Sequence, residues 1–128
     1  MFTSYRRLRA WELGDQLAFA IYRATAHFPK SELYGLTSQL RRAALSVPTN
    51  IVEGYSRRND KYFKNFLDTA YGSLVETEYL LNFARRLELL SEGDYNKLIK
   101  LVDETGKVLW KLREYVARGK ERGVRSDE

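Results

Sequence analysis

The stretch QLRRAALSVPTNIVEGYSRR, from Gln39 to Arg58, decides the fold of this 128-residue chain. Its apolar residues recur every three or four positions, as on one face of an α-helix: Leu40, Ala44, Val47 and Ile51. Pro48 interrupts this pattern, and a proline inside a helix removes one hydrogen bond and clashes with a preceding carbonyl, at a cost of about 3 kcal/mol. The helix could therefore end at Ser46. Because the apolar spacing continues in phase beyond the proline, we predict a single helix, kinked at Pro48.

The same helical spacing continues on both sides of this stretch, and β-branched alternation is absent. Short polar turns separate four segments, which we predict to be helices over residues 8–28, 32–55, 60–90 and 95–117. Short connections place consecutive helices antiparallel. We therefore predict an all-α fold, an antiparallel up-down-up-down four-helix bundle formed by one domain, residues 1–117. Residues 118–128 are predicted to be a polar, disordered tail.

Composition restricts the compartment and the chemistry. The chain has no cysteine, which excludes disulfides and zinc–thiolate sites. It has no run of 18 apolar residues, and its first residues lack the apolar core of a signal peptide. We expect a cytoplasmic protein without a membrane partner.

Catalytic motifs are not found in the sequence. His27 is the single histidine, and the Glu-x-x-His pairs of di-iron bundles are missing. There is no glycine-rich phosphate loop, nucleophile elbow or H-E-x-x-H motif. We predict no enzymatic activity, no catalytic residues, no metal and no cofactor.

A second apolar stripe runs along the third helix, opposite its core-facing side. It consists of residues four positions apart: Tyr71, Val75, Tyr79 and Phe83. Leu45 lies similarly off the core line of the second helix. Such a ladder predicts a protein interface, here between copies of the chain. The alternative is that these rings lie flat on their own bundle, beneath long Arg and Lys side chains.

Positive charge is concentrated at one end of the predicted bundle. The net charge is +5, and residues 1–60 carry nine Lys/Arg against five Asp/Glu. The end shared by the first helix start and the second helix end collects eight candidate cations: Arg6, Arg7, Arg9, Arg57, Arg58, Lys61, Lys64 and Arg113. With Tyr5, Tyr55 and Tyr62 nearby, this composition suits phosphate contact and base stacking by RNA or DNA. A merely solvated helix end is the alternative.

Three segments carry a family resemblance: YRRLRAW (residues 5–11), FPKSELYGLTSQLRRAALSVPTNIVEG (28–54) and FLDTAYGSLVETEYLL (66–81). They resemble the bacterial four-helix-bundle proteins encoded by intervening sequences in large-subunit ribosomal RNA. The resemblance implies a ring, typically a homopentamer. It also implies a relation to the accessory variability determinant of diversity-generating retroelements, which works with a reverse transcriptase. The implied function is a nucleic-acid-binding accessory factor, and the alternative is a protein–protein scaffold that binds no nucleic acid.

The polar residues of the opening stretch fit the same picture. Asn50 lies at the edge of the inward face, where a buried amide must find hydrogen-bond partners. We predict a network of Asn50, Ser73 and Glu76 that sets the register of helices or subunits, with Gly72 allowing close approach of the third helix. Arg42 and Glu53 both point outward, about three turns apart, and are predicted to pair between subunits.

Overall fold

The computed structural model describes residues 4–119, and these form helices and turns without a strand. The four long helices are α1 (Arg9–Thr25), α2 (Leu36–Ser56), α3 (Asp60–Arg86) and α4 (Glu92–Ala117). Short 3₁₀ turns precede α1 (Ser4–Arg7) and α2 (Lys30–Glu32). Of the predicted tail, the residues beyond Gly119 lie outside the described part of the chain.

Contacts between successive helices run in opposite residue order. Between α2 and α3, Gly54 lies against Phe66, and eight residues earlier in α2 Ser46 bonds Ser73. Residues of α3 and α4 pair in the same antiparallel manner, and α1 packs against both α2 and α4, which closes the bundle. The predicted up-down-up-down four-helix bundle is confirmed. The α1/α2 face is therefore opposite the α3/α4 face.

Pro48 lies inside α2, which continues for two further turns to Ser56. The alternative that the helix ends at Ser46 is therefore wrong, while the kink stays a prediction. The pyrrolidine ring of Pro48 is buried against α1, and Gly14 of α1 leaves space for that ring. A Cβ at Gly14 would lie 3.2 Å from Val47 Cγ1 and 3.5 Å from the Pro48 nitrogen.

The start of α2, the end of α3 and the start of α4 differ from the predicted bounds, because local turns and caps set these helix ends. α2 begins at Leu36 rather than residue 32, because residues 30–32 form a separate 3₁₀ turn that leaves Leu33 exposed. α3 ends at Arg86, followed by Glu88 in the left-handed region with φ of 63°. α4 begins earlier than predicted because the Ser91 side chain accepts a hydrogen bond from the Asp94 amide.

The core lies along the common axis of the four helices and is built from the periodic apolar residues. Its fully buried members include Leu17, Ile21, Leu40, Ile51, Phe63, Leu67, Leu81 and Leu109. Thr77 and Thr105 are also fully buried, and each hydroxyl donates to the carbonyl four residues earlier in its own helix. No helix within residues 4–119 has the length and apolar character needed to cross a membrane.

Candidate functional site

The predicted cations lie at or towards the end of the bundle where α1 and α3 begin and α2 and α4 end. Arg6 and Arg7 precede α1, Arg57 and Arg58 form the α2–α3 turn, and Lys61 lies in the first turn of α3. Lys64 and Arg113 are further along α3 and α4. Antiparallel packing thus brings together residues that are far apart in sequence, as the charge pattern predicts.

Four of these cations have carboxylate partners. Arg9 bonds Glu12 at 2.7 Å, and Arg57 lies 3.5 Å from Glu53. The Asp68 carboxylate forms ion pairs with Lys64 Nζ at 3.1 Å and with Arg113 Nε at 2.8 Å. Arg113 also bonds Glu114 at 2.7 Å. Three of these pairs, Arg9–Glu12, Arg57–Glu53 and Lys64–Asp68, join residues three or four positions apart in one helix, a spacing that is visible in the sequence. The pairing of Arg113 with Asp68 crosses between helices and cannot be predicted from local spacing.

The Asp68 carboxyl is the electrostatic centre of this cluster. Partial burial raises its pKa, but hydrogen bonds from Arg113 and Lys64, with their positive charges, outweigh burial and lower the pKa below its ordinary value. The hydrogen bond to Asp68 is the main cause that raises the pKa of Arg113. Lys64 and Arg113 are therefore engaged with the bundle itself and are poorer candidates for phosphate contact.

Four predicted cations remain, and one of them, Arg7, has interactions of its own. The other three, Arg6, Arg58 and Lys61, form the surface that we call the open basic end. All three are exposed, and within residues 4–119 none has a carboxylate within 4.0 Å. Arg58 occupies the left-handed region with φ of 57°, which reverses the chain between α2 and α3. The Asn59 side chain then accepts a hydrogen bond from the Tyr62 amide at 3.2 Å and starts α3.

The predicted interface ladder runs along the outer side of α3, and its members Tyr71 and Val75 line a groove between α3 and α4 together with Trp110. Together with Trp110 we call it the α3/α4 patch: Tyr71, Val75, Tyr79, Phe83 and Trp110. Val75 and Tyr79 are 52% and 57% exposed. The alternative of rings covered by their own bundle holds in part. Tyr71 packs against Trp110 with centroids 5.4 Å apart, and the Arg86 guanidinium lies 5.2 Å from the Phe83 ring centroid.

A second apolar surface lies on the opposite side of the bundle. We call it the α1/α2 patch: Phe19, Tyr22, Leu33, Tyr34 and Leu45. Leu45 was a predicted interface residue and is 46% exposed. Phe19 and Tyr34 are not among the interface residues predicted from the sequence. Phe19 could have been found, since its helical position points away from Leu17 and Ile21.

The polar network has a different centre from the predicted one. Asn50 Nδ2 donates to the Ser46 carbonyl at 2.8 Å and to Ser46 Oγ at 2.9 Å. Ser46 Oγ in turn shares a hydrogen bond of 2.8 Å with Ser73 Oγ. Ser46 thus joins Asn50 to Ser73. Glu76 is exposed and lines an open cleft beside Ser46 and Arg42, outside these hydrogen bonds.

Gly72 does not provide the predicted close approach. It is exposed, and nothing lies within 4 Å of the Cβ it would carry. Gly54 on α2 has that role, because its Cβ would lie 2.5 Å from Phe66 Cβ.

Arg42 and Glu53 both find neighbours inside α2. Arg42 donates to Ser38 Oγ at 3.3 Å, and Glu53 faces Arg57. Their predicted pairing between subunits stays a prediction. Within residues 4–119, no three His, Asp or Glu side chains converge as metal ligands.

The fold, the open basic end and the two apolar patches together define a class of protein: a four-helix bundle with a basic end and two apolar faces. The model of the 23S rRNA-intervening sequence protein family matches residues 6–111. The chain therefore belongs to that family. No curated protein matches it. A crystal structure of a protein of unknown function from the S23 ribosomal protein family of Bacteroides thetaiotaomicron is similar in fold, with a TM-score of 0.75 and 22% identity. The match covers 82% of this chain and 95% of that protein.

Proposed function

We propose that this protein is a cytoplasmic, non-enzymatic accessory protein that assembles into a ring and binds RNA or DNA at the basic ends of its subunits. The observation that carries the nucleic-acid part is the open basic end. There, Arg6 from the segment before α1 meets Arg58 and Lys61 from the junction of α2 and α3, and within residues 4–119 no carboxylate neutralises them. Cations of this kind can contact phosphates without first breaking an ion pair.

The two apolar patches support the ring. They differ in composition and lie on opposite faces, so contact between the α1/α2 patch of one copy and the α3/α4 patch of the next is heterologous. Heterologous contacts form closed rings when the rotation between neighbours closes. Family resemblance adds the expected number of five subunits. In such a ring the basic ends of all subunits face the same side. The number of phosphate contacts available there is therefore that of one subunit times the number of subunits.

The test is salt-dependent binding of RNA by the wild type and by the double variant Arg58→Gln/Lys61→Gln. Each lost phosphate contact reduces the slope of log K against log salt by about 0.7 for single strands and 0.9 for duplexes, so we expect a change of about 1.4–1.8 per subunit. Weakening should be similar for all sequences, because phosphate contacts do not read bases.

The matched control is Lys30→Gln/Lys97→Gln, which removes two exposed lysines outside the basic end. This variant should bind RNA like the wild type. Equal binding by wild type and Arg58→Gln/Lys61→Gln at several salt concentrations would contradict the proposal and favour the protein scaffold instead. A reverse transcriptase is the protein partner implied by the resemblance, and co-purification of the two proteins tests that role.

A further inference from the structure

We propose that the open basic end recognises single-stranded nucleic acid, and that Tyr62 provides the surface on which an unpaired base stacks. This inference rests on the proposed function, because it concerns the same end of the bundle. Beyond the proposed function, it specifies that the bound nucleic acid is single-stranded, and it assigns to Tyr62 a contact made by the aromatic ring rather than by charge.

Tyr62 differs from the other aromatic residues at this end in having an uncovered ring. Tyr5 packs edge-on against Trp11, with the Arg6 guanidinium 5.9 Å from its ring centroid. Tyr55 is buried against Phe63, and Phe66 lies under the Arg57 guanidinium at 5.1 Å. By contrast, Tyr62 is 54% exposed. Within residues 4–119 no ring or guanidinium packs on it, and its hydroxyl has no hydrogen-bond partner.

The position of Tyr62 couples this ring to the cations. Asn59 caps α3 through the Tyr62 amide, which holds the residue in the first helical turn. Lys61 is its neighbour in sequence and Arg58 lies just before the cap, so the ring and two cations without described carboxylate partners share one short segment. A strand whose phosphates contact Arg58 or Lys61 would therefore pass along the segment that carries the Tyr62 ring.

Stacking distinguishes single strands from duplexes. In a duplex, neighbouring pairs cover both faces of each base, and only phosphates and groove edges are offered to a protein. Unpaired bases can turn outward and stack on an aromatic ring, and such contacts tolerate any base. Loss of one stacking ring weakens single-strand binding by about 5- to 150-fold. Duplex binding, which uses only the cations, should not depend on Tyr62.

The experiment measures fluorescence anisotropy with a labelled oligo(U) strand and with the oligo(U)·oligo(A) duplex of equal length, at one salt concentration. We expect the wild type to bind the single strand more tightly. Tyr62→Ala should lose about 5- to 150-fold in single-strand affinity and keep its duplex affinity. Tyr62→Phe should bind both probes like the wild type, because the ring and not the hydroxyl carries the contact.

Leu87→Ala is the control, since Leu87 is 49% exposed, belongs to neither apolar patch and follows α3 at the end of the bundle opposite the basic end. It should not change either affinity. Circular dichroism checks that each variant stays helical. A wild type that binds the duplex at least as tightly, or a Tyr62→Ala variant with unchanged single-strand affinity, overturns this inference and leaves the proposed function intact. A wild type that binds neither probe overturns the proposed function, and this inference with it.

Discussion

Ser46 is a single residue that ties two helices together. Its hydroxyl contacts both Asn50 on its own helix and Ser73 on α3. A partly buried hydroxyl that loses its partner costs about 1–3 kcal/mol, so the Ser46 hydroxyl should contribute more to stability than an isolated surface serine. Asn50 is held by the same residue, which explains how an amide is accommodated beside the core.

The residue-scale prediction is that Ser46→Ala lowers the free energy of unfolding by about 1–2 kcal/mol, measured by urea denaturation. Ser73→Ala should cost less, because it removes one of the two contacts. The double variant should cost less than the two single costs added together, since their shared hydrogen bond can be lost only once. Ser56→Ala, at the exposed end of α2, should stay within about 0.5 kcal/mol of the wild type. Strictly additive costs would contradict the shared bond.

At the scale of helices, the approach of α2 to α3 depends on a glycine. Gly54 is buried, and a Cβ there would meet Phe66 Cβ at 2.5 Å and Phe63 Cδ1 at 3.0 Å. Phe66 Cβ is bound directly to its backbone and cannot turn aside, so the helices themselves would have to move. Gly72 occupies an exposed position of α3 with open space around it.

We expect opposite effects from the same substitution at these two glycines. Gly54→Ala should destabilise the bundle by about 1–3 kcal/mol through overpacking. Gly72→Ala should stabilise it by about 0.5–1 kcal/mol, because alanine restricts the unfolded chain and favours the helix. Thermal and urea unfolding of both variants measures this. A Gly54→Ala protein as stable as the wild type would show that α2 and α3 are not held at this contact.

At the scale of the whole molecule, the two apolar patches predict an assembly larger than one chain. Val75→Glu/Tyr79→Glu places two charges in the α3/α4 patch and should lower the mass measured by light scattering, while helicity is retained. Thr69→Glu/Asn96→Glu adds the same charges at exposed positions outside both patches and should leave the mass unchanged. A wild type with a mass near the 15.0 kDa of one chain, at micromolar concentration, would contradict the ring.

Much of the fold could be predicted from the sequence because it depends on local regularities. The spacing of Leu40, Val47 and Ile51 defines a helix face whatever lies opposite it, and short turns leave little choice but antiparallel neighbours. The continuation of the helix through Pro48 followed from the same spacing. The gathering of cations at one end followed from helix direction alone.

Other features of the protein could be known only from the tertiary structure, because they depend on distances between helices. Periodicity assigns a residue to a face, but it does not say which atom of another helix lies opposite. The pairing of Arg113 with Asp68, the bridging role of Ser46 and the choice of Gly54 over Gly72 all depend on such cross-helix contacts. The uncovered ring of Tyr62 belongs with them, because a ring is open or covered according to what its neighbours in space do. The sequence by itself therefore determined which helices form and in what order they run, and packing determined which charges and rings remain available at the surface.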